Sequence, residues 1–190
     1  MPNIKEYIIK LSSDLNENYE KIKENIWVHK GAKISDSACI NGPGIIDAGA
    51  DLRHNAFIRE NVIIGKNCVV GNSCELKNTI LYGYVQVPHF NYVGDSILSN
   101  YAHLGVGTII SNLKSYKSNI KIKNNDDVID TLMRKVVAFI GDNVEVGCNC
   151  VINPGTVIMP NSNIYPLTSV RGVVKSNVIV KNMNNIIKKT

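Results

Sequence analysis

At 190 residues and 44% hydrophobic content, the sequence is the length of one domain with a real core. Aromatic residues make up only 6%, whereas Val, Ile and Leu account for 56 of the 190 positions, a skew that excludes a helical bundle and favours β-structure packed by branched aliphatics. The net charge of +5 comes from lysines that are scattered or sit in Lys/Asn-rich stretches without interleaved aromatics, which excludes a nucleic-acid surface as its reason.

The N-terminal stretch carries Lys5, Glu6 and Lys10, so it lacks the unbroken apolar region of a signal peptide. No run approaches the roughly 18 apolar residues of a membrane span, and a cytoplasmic protein is expected. Ile4, Tyr7, Ile8, Leu11 and Leu15 follow helical spacing and predict a helical cap over residues 1–26, packed on the end of the β-structure.

From Val28 an aliphatic residue recurs every six positions, at 34, 40, 46, 52, 58, 64, 70 and Leu76. After one five-residue step the series continues at Leu81, 87 and Val93, and after a second at Leu98, Leu104 and Ile110. It resumes at Ile140, 146, 152, 158, 164 and Val170. Four places after most of these stands a small residue, among them Ala32, Ala50, Cys68, Cys74, Cys150 and Thr168. A six-residue unit cannot bury its apolar side alone, so stacking must supply the core. The pattern resembles the hexapeptide repeat of left-handed parallel β-helices, in which three units make a triangular coil. An all-β solenoid is therefore expected over 27–175, with a loop excursion at 111–137 and a polar, ambiguous tail at 176–190. The five cysteines are odd in number and their close pair is C-x-C, so neither a disulfide framework nor a metal site is expected.

With three units per coil, residues 17 or 18 apart lie on adjacent rungs. Arg59 and Lys77 then stack as two unpaired cations that an anion between them would relieve. His54, Asn72 and His89 form an outward stripe, Tyr92 follows His89 by three, and Glu75 lies on the rung beneath Tyr92. Arg59, Lys77, Glu75, Tyr92 and His89 are expected at one corner of the triangle, where a cation pair beside a histidine suits a phosphorylated substrate and a general base.

The segments ELKN (75–78), VPHFNYVGDS (87–96) and HLGVGTIISN (103–112) resemble the acetyltransferase domain of the bifunctional N-acetylglucosamine-1-phosphate uridylyltransferases. Closer still is the resemblance to β-helix domains of archaeal sugar-1-phosphate nucleotidylyltransferases. DTLMRKVVAFIGDNVEVGCNCVINPGTVI (130–158) is similar to these too, and to short bacterial proteins related to UDP-N-acetylglucosamine pyrophosphorylase. The resemblance implies a homotrimeric acyltransferase that takes acetyl-CoA as co-substrate and N-acetylates an amino-sugar phosphate such as glucosamine 1-phosphate. It implies that His89 is the general base, that Arg59 and Lys77 bind phosphate, and that Tyr92 and Asn112 line the acceptor site, to which the rung spacing adds Glu75 as a substrate contact. Lys117, or Lys121, corresponds to a loop lysine over that site. On the acetyl-CoA side stand His103, where the family has asparagine, and Cys148 and Pro166, where it has small residues. Two other readings remain: a non-catalytic module that binds sugar phosphates or sugar nucleotides beside a nucleotidyltransferase, and a γ-carbonic-anhydrase-like metalloenzyme. The latter uses H-x-x-x-x-H, and the position five after His89 is Gly94.

Overall fold

A computed structural model describes residues 3–124 and 127–189. The expected cap, loop excursion and tail each extend onto positions 1–2, 125–126 or 190, which lie outside the described residues. The chain winds as a parallel β-solenoid of about eight coils, a left-handed β-helix with three sheets as its walls. The first wall runs from Ile26–His29 to Val173–Val174, the second from Lys33–Ile34 to Val178–Asn182, and the third from Cys39–Ile40 to Ser169–Val170. Strands of two to five residues suffice because each rung bonds to the coils before and after it, about 4.8 Å away.

Of the 21 aliphatic positions in the six-residue series, all but Ile34 are buried. Small residues such as Ala50, Ala56, Cys68 and Cys150 fill the narrow corners beside them, none exposing any surface. Burial pushes the Cys68 thiol up to about 12, so it serves as a small apolar filler, not a nucleophile.

Asparagine is what turns the corners. Among the described residues eighteen non-glycine residues adopt positive φ, and ten of them are Asn. The left-handed conformation costs a β-carbon-bearing residue least when a short polar side chain bonds locally. This accounts for ten of the chain's 25 asparagines.

The helix, Ile4–Ser12, does not cap the solenoid's end as expected. It lies on the outer side of the first wall, where Ile4 and Ile8 are buried with Ile45 and pack beside Trp27, Ile63 and Ile80. Those residues point outward from the coil, and their apolar column is what a helix with one apolar face can cover. The same column continues as Ile97, Phe139, Val157 and Val173. Two antiparallel strands close the edges instead: Tyr19–Lys23 on Ile26–His29, and Asn185–Lys188 on Val178–Asn182. The ambiguous tail is thus the last strand of the second wall and its hairpin partner.

Residues 111–137 leave the coil as expected but are not irregular throughout. Lys121–Asn124 and Asp127–Asp130 pair antiparallel, anchored by Ile120, which is fully buried. No helix among the described residues is long and apolar enough to cross a membrane.

Candidate functional site

The third wall carries most of the predicted acceptor residues. Its strand Glu75–Lys77 lies between Phe57–Ile58 and Tyr92–Gly94, with Glu75 opposite Tyr92 and Lys77 opposite Gly94. Strand alternation sends Leu76 and Val93 into the core and Glu75, Lys77 and Tyr92 outward. Arg59 joins the row beside Lys77 through its N–H, which donates to the Leu76 carbonyl at 2.9 Å. Gly94 leaves room for the Tyr92 phenol, since a β-carbon there would meet the Tyr92 hydroxyl at 2.6 Å.

The two stacked cations are not unpaired. Arg59 Nη1 donates to Glu75 Oε1 at 3.0 Å and its Nε lies 3.6 Å from Glu60 Oε2, while Lys77 Nζ lies 3.1 Å from Glu60 Oε1. Two carboxylates therefore supply the negative charge that the sequence reading assigned to a ligand. The hydrogen bond to Glu75 is the main cause that holds the Arg59 guanidinium above its ordinary pKa. Glu75, expected to contact substrate, is the partner of Arg59.

Beside this network runs an amide ladder at the corner between the third and first walls. Asn61 Nδ2 donates to Asn78 Oδ1 at 2.7 Å, and Asn78 Nδ2 donates to Asp95 Oδ1 at 3.1 Å. From the next coil Asn112 Nδ2 donates to Asp95 Oδ2 at 2.8 Å and to Tyr92 Oη at 3.1 Å. Asn61, Asn78, Asp95 and Asn112 are each 17 residues apart, one per coil, and the buried Asp95 carboxylate ends the chain of donors. Burial, then the carboxylates of Glu75 and Asp95, raise the Tyr92 phenol above its usual pKa, so it stays a neutral hydrogen-bonding group.

His89 ends the strand Gln86–His89 on the second wall and is exposed. Between it and Tyr92 the chain turns through Asn91, which is buried: its Oδ1 accepts from the His89 N–H at 3.1 Å and its Nδ2 donates to the Gly105 carbonyl at 2.8 Å. His89 and Tyr92 thus flank one corner, set by a buried amide. Arg59 and Lys77 do not share that corner. They stand at the far end of the third wall's strands, roughly 7 Å further along than Glu75, so the five residues span a face and its edge. Beneath Pro88, which precedes His89, Gly71 permits close approach, because a β-carbon there would collide with the Pro88 carbonyl.

The remaining predicted residues divide. Lys117 is exposed, holds a left-handed conformation in the excursion, and bonds through its N–H to the Lys114 carbonyl. Lys121 is carried into the hairpin, where Nζ lies 3.6 Å from Asp130 Oδ2 and its backbone packs on Gly155, three rungs from Lys77. Within one chain Lys121 does not join the acceptor row, because the hairpin follows the later coils. Backbone bonds from Gly107 to His89, from Asn149 to Val106 and from Leu167 to Cys148 align His89, Val106, Cys148 and Pro166 in one column. His103 lies outside that column, toward the other edge of the second wall, with Nδ1 2.7 Å from Glu145 Oε2.

The sequence reading missed Glu60, Asp95 and Asn78. Each had a signal in the coil period: Glu60 precedes Lys77 by 17 residues, and Asp95 lies 17 from both Asn78 and Asn112. Among the described residues no group of three or more His, Cys, Asp or Glu could hold a metal ion.

Residues 40–166 match the family described as "GMPPB C-terminal domain". The bifunctional sugar-1-phosphate nucleotidylyltransferase/acetyltransferase of Sulfurisphaera tokodaii is 33% identical over 150 residues, 79% of this chain and 37% of that protein. The bifunctional protein GlmU of Methanocaldococcus jannaschii is 32% identical over 117 residues, covering 60% of this chain and 28% of that one. The chain thus spans about a third of the length of these curated relatives. Among solved structures, WeeI from Acinetobacter baumannii AYE shares the fold, with a TM-score of 0.51 and 16% identity over 81% of this chain and 56% of that one. The match over two thirds of its length, on a solenoid built from these hexapeptides, makes the chain a member of the GMPPB C-terminal domain family.

Proposed function

We propose that this chain transfers an acetyl group from acetyl-CoA to the amine of an amino-sugar phosphate, with His89 as general base. The observation that carries the reading is the corner itself. An exposed imidazole and a neutral phenol flank a turn fixed by buried Asn91, next to a row of charged residues. The names of the relatives, which include an acetyltransferase, agree with it.

His89 takes a proton from the amine as the nitrogen bonds to the thioester carbon, and that proton passes to the sulfur when the C–S bond breaks. An imidazole changes charge near neutral pH and can serve in both directions. Tyr92 and Asn112, bonded to each other, hold the acceptor in place, and Lys77 and Arg59 meet its phosphate. Acetyl-CoA supplies the activated acyl group. Phe90, Val106 and Leu167 are exposed apolar side chains along the His89 corner, a surface that suits a pantetheine arm, with Cys148 between them. A homotrimer that places this corner against a neighbouring subunit would enclose the donor.

The ion pairs put a condition on the acceptor. Its phosphate gains the full attraction of Lys77 only where Glu60, 38% exposed, turns aside. Thiol release on mixing acetyl-CoA with glucosamine 1-phosphate and related amino-sugar phosphates tests the reading. His89→Ala is expected to lose about 100-fold or more in kcat, as for removal of a general base. Full activity in that variant, or no turnover of any such acceptor by the wild type, would defeat it.

A further inference from the structure

At the corner between the first and second walls, successive coils contribute one left-handed residue each. Backbone bonds order them as Asn67, Tyr84, Tyr101, Asn143, Asn161 and Asn177, with φ between 55° and 61°. Four of the six are Asn, the residue this conformation suits. Two are tyrosines, for which it is unfavourable, and an aromatic held in such a conformation points to a use other than turning the chain. Their rings stack with centroids 4.7 Å apart and planes 10° from parallel, in step with the rungs. Each stays about half exposed, Tyr84 43% and Tyr101 54%.

The column of rings stops at Tyr101, since the next position is the short Asn143, whose Nδ2 donates to Asn161 Oδ1 at 3.1 Å. A cleft of about 450 Å³ opens there, lined by Tyr84, Gln86, Tyr101, His103, Asn143 and Glu145. His103 and Glu145 stand opposite each other on adjacent strands, joined at 2.7 Å. The stacked pair Tyr84 and Tyr101 thus borders one side of the cleft, and at the next rung the shorter Asn143 stands where a third ring of the column would lie. Around the cleft lie an imidazole, a carboxylate and two amides, which together offer donors and acceptors.

We propose that this cleft is a nucleobase-binding site, in which the base stacks on Tyr101 as the third ring of the column and the His103–Glu145 pair, Gln86 and Asn143 read its edge. A base has the π-face that aromatic stacking needs and a hydrogen-bonding rim, whereas a bare sugar phosphate has no such face. The strand Gln86–His89 runs across the second wall from beside this cleft to His89, about 10 Å in all. A nucleotide bound at Tyr101 therefore extends toward His89. The base would be the adenine of an acyl-CoA or the base of a nucleotide-activated sugar. The inference does not rest on His89 acting as a base, and its test reads binding without turnover.

Titration calorimetry of the full chain with ADP and with UDP, using ribose 5-phosphate as the probe without a base, tests it. At least one nucleotide is expected to bind and not to be displaced by ribose 5-phosphate. Tyr101→Ala should weaken that nucleotide by roughly 5- to 150-fold, the loss of one base stack, and Tyr101→Phe should retain it. Preference for ADP assigns the adenine of the donor, and preference for UDP assigns a sugar nucleotide. Wild-type protein that binds neither nucleotide, equal competition by ribose 5-phosphate, or unchanged affinity in a folded Tyr101→Ala variant would overturn the proposal.

Discussion

Asp95→Asn changes one atom at the end of the amide ladder and keeps a residue type that tolerates the left-handed φ of 51° found there. In the native protein one carboxylate oxygen accepts from Asn78 and the other from Asn112. An asparagine at 95 has a single carbonyl, so one of those two donors then faces an NH₂ group. Asn78 can turn over only together with Asn61, because its own Oδ1 accepts from Asn61 Nδ2 at 2.7 Å. While that pair holds its orientation Asn112 must yield, and with it goes the 3.1 Å bond to Tyr92 Oη. Loss of one buried bond to a charged acceptor costs about 2 kcal/mol. For a chain of this length that is a fall of about 4–8 °C in Tm. Thermal melting followed by circular dichroism measures it, and the KM of the acceptor should rise in parallel as Tyr92 loosens. A Tm within about 1 °C of wild type would show that Asn112 keeps its partner, and would refute the reasoning.

Glu60→Gln removes the carboxylate that Lys77 and Arg59 share, so an acceptor phosphate should bind more tightly; KM is expected to fall while kcat holds, and a raised KM would count against the ion-pair account. Gly71→Ala drives a methyl group into the Pro88 backbone and should cost about 3 kcal/mol in denaturant unfolding while displacing His89; an unchanged midpoint would contradict the close approach. Stability should fall at high pH. The Cys68 pKa is about 12 in the folded chain against 9.0 for a free thiol, so between those values the folded state binds the extra proton and stability drops as pH rises, by about 1.4 kcal/mol per unit for one group. Cys68→Ala should flatten that slope by one proton, and urea titrations at several pH values would reveal whether it does.

The hexapeptide period alone determined the solenoid, because burial of an aliphatic residue at every sixth position has one geometric solution in coils that share a core. The period also placed Glu75 beneath Tyr92, Arg59 beside Lys77 and His89 outside the coil, since neighbours on adjacent rungs follow from residue spacing. Side-chain reach was not encoded in that way. Only the folded chain decided that Glu60 and Glu75 neutralise the two cations, because an ion pair depends on where long side chains bend and not on their register. The same holds for Asn112, which the resemblance implies at the acceptor site and whose bonds to Tyr92 and Asp95 only the folded chain shows. Helix placement was likewise a tertiary outcome: helical spacing fixed the apolar face of Ile4–Ser12, and the outward column of Trp27, Ile45, Ile63 and Ile80 chose the wall it covers. A periodic sequence specifies backbone neighbours, and the contacts that set charge and chemistry at the surface arise only when those neighbours extend their side chains into shared space.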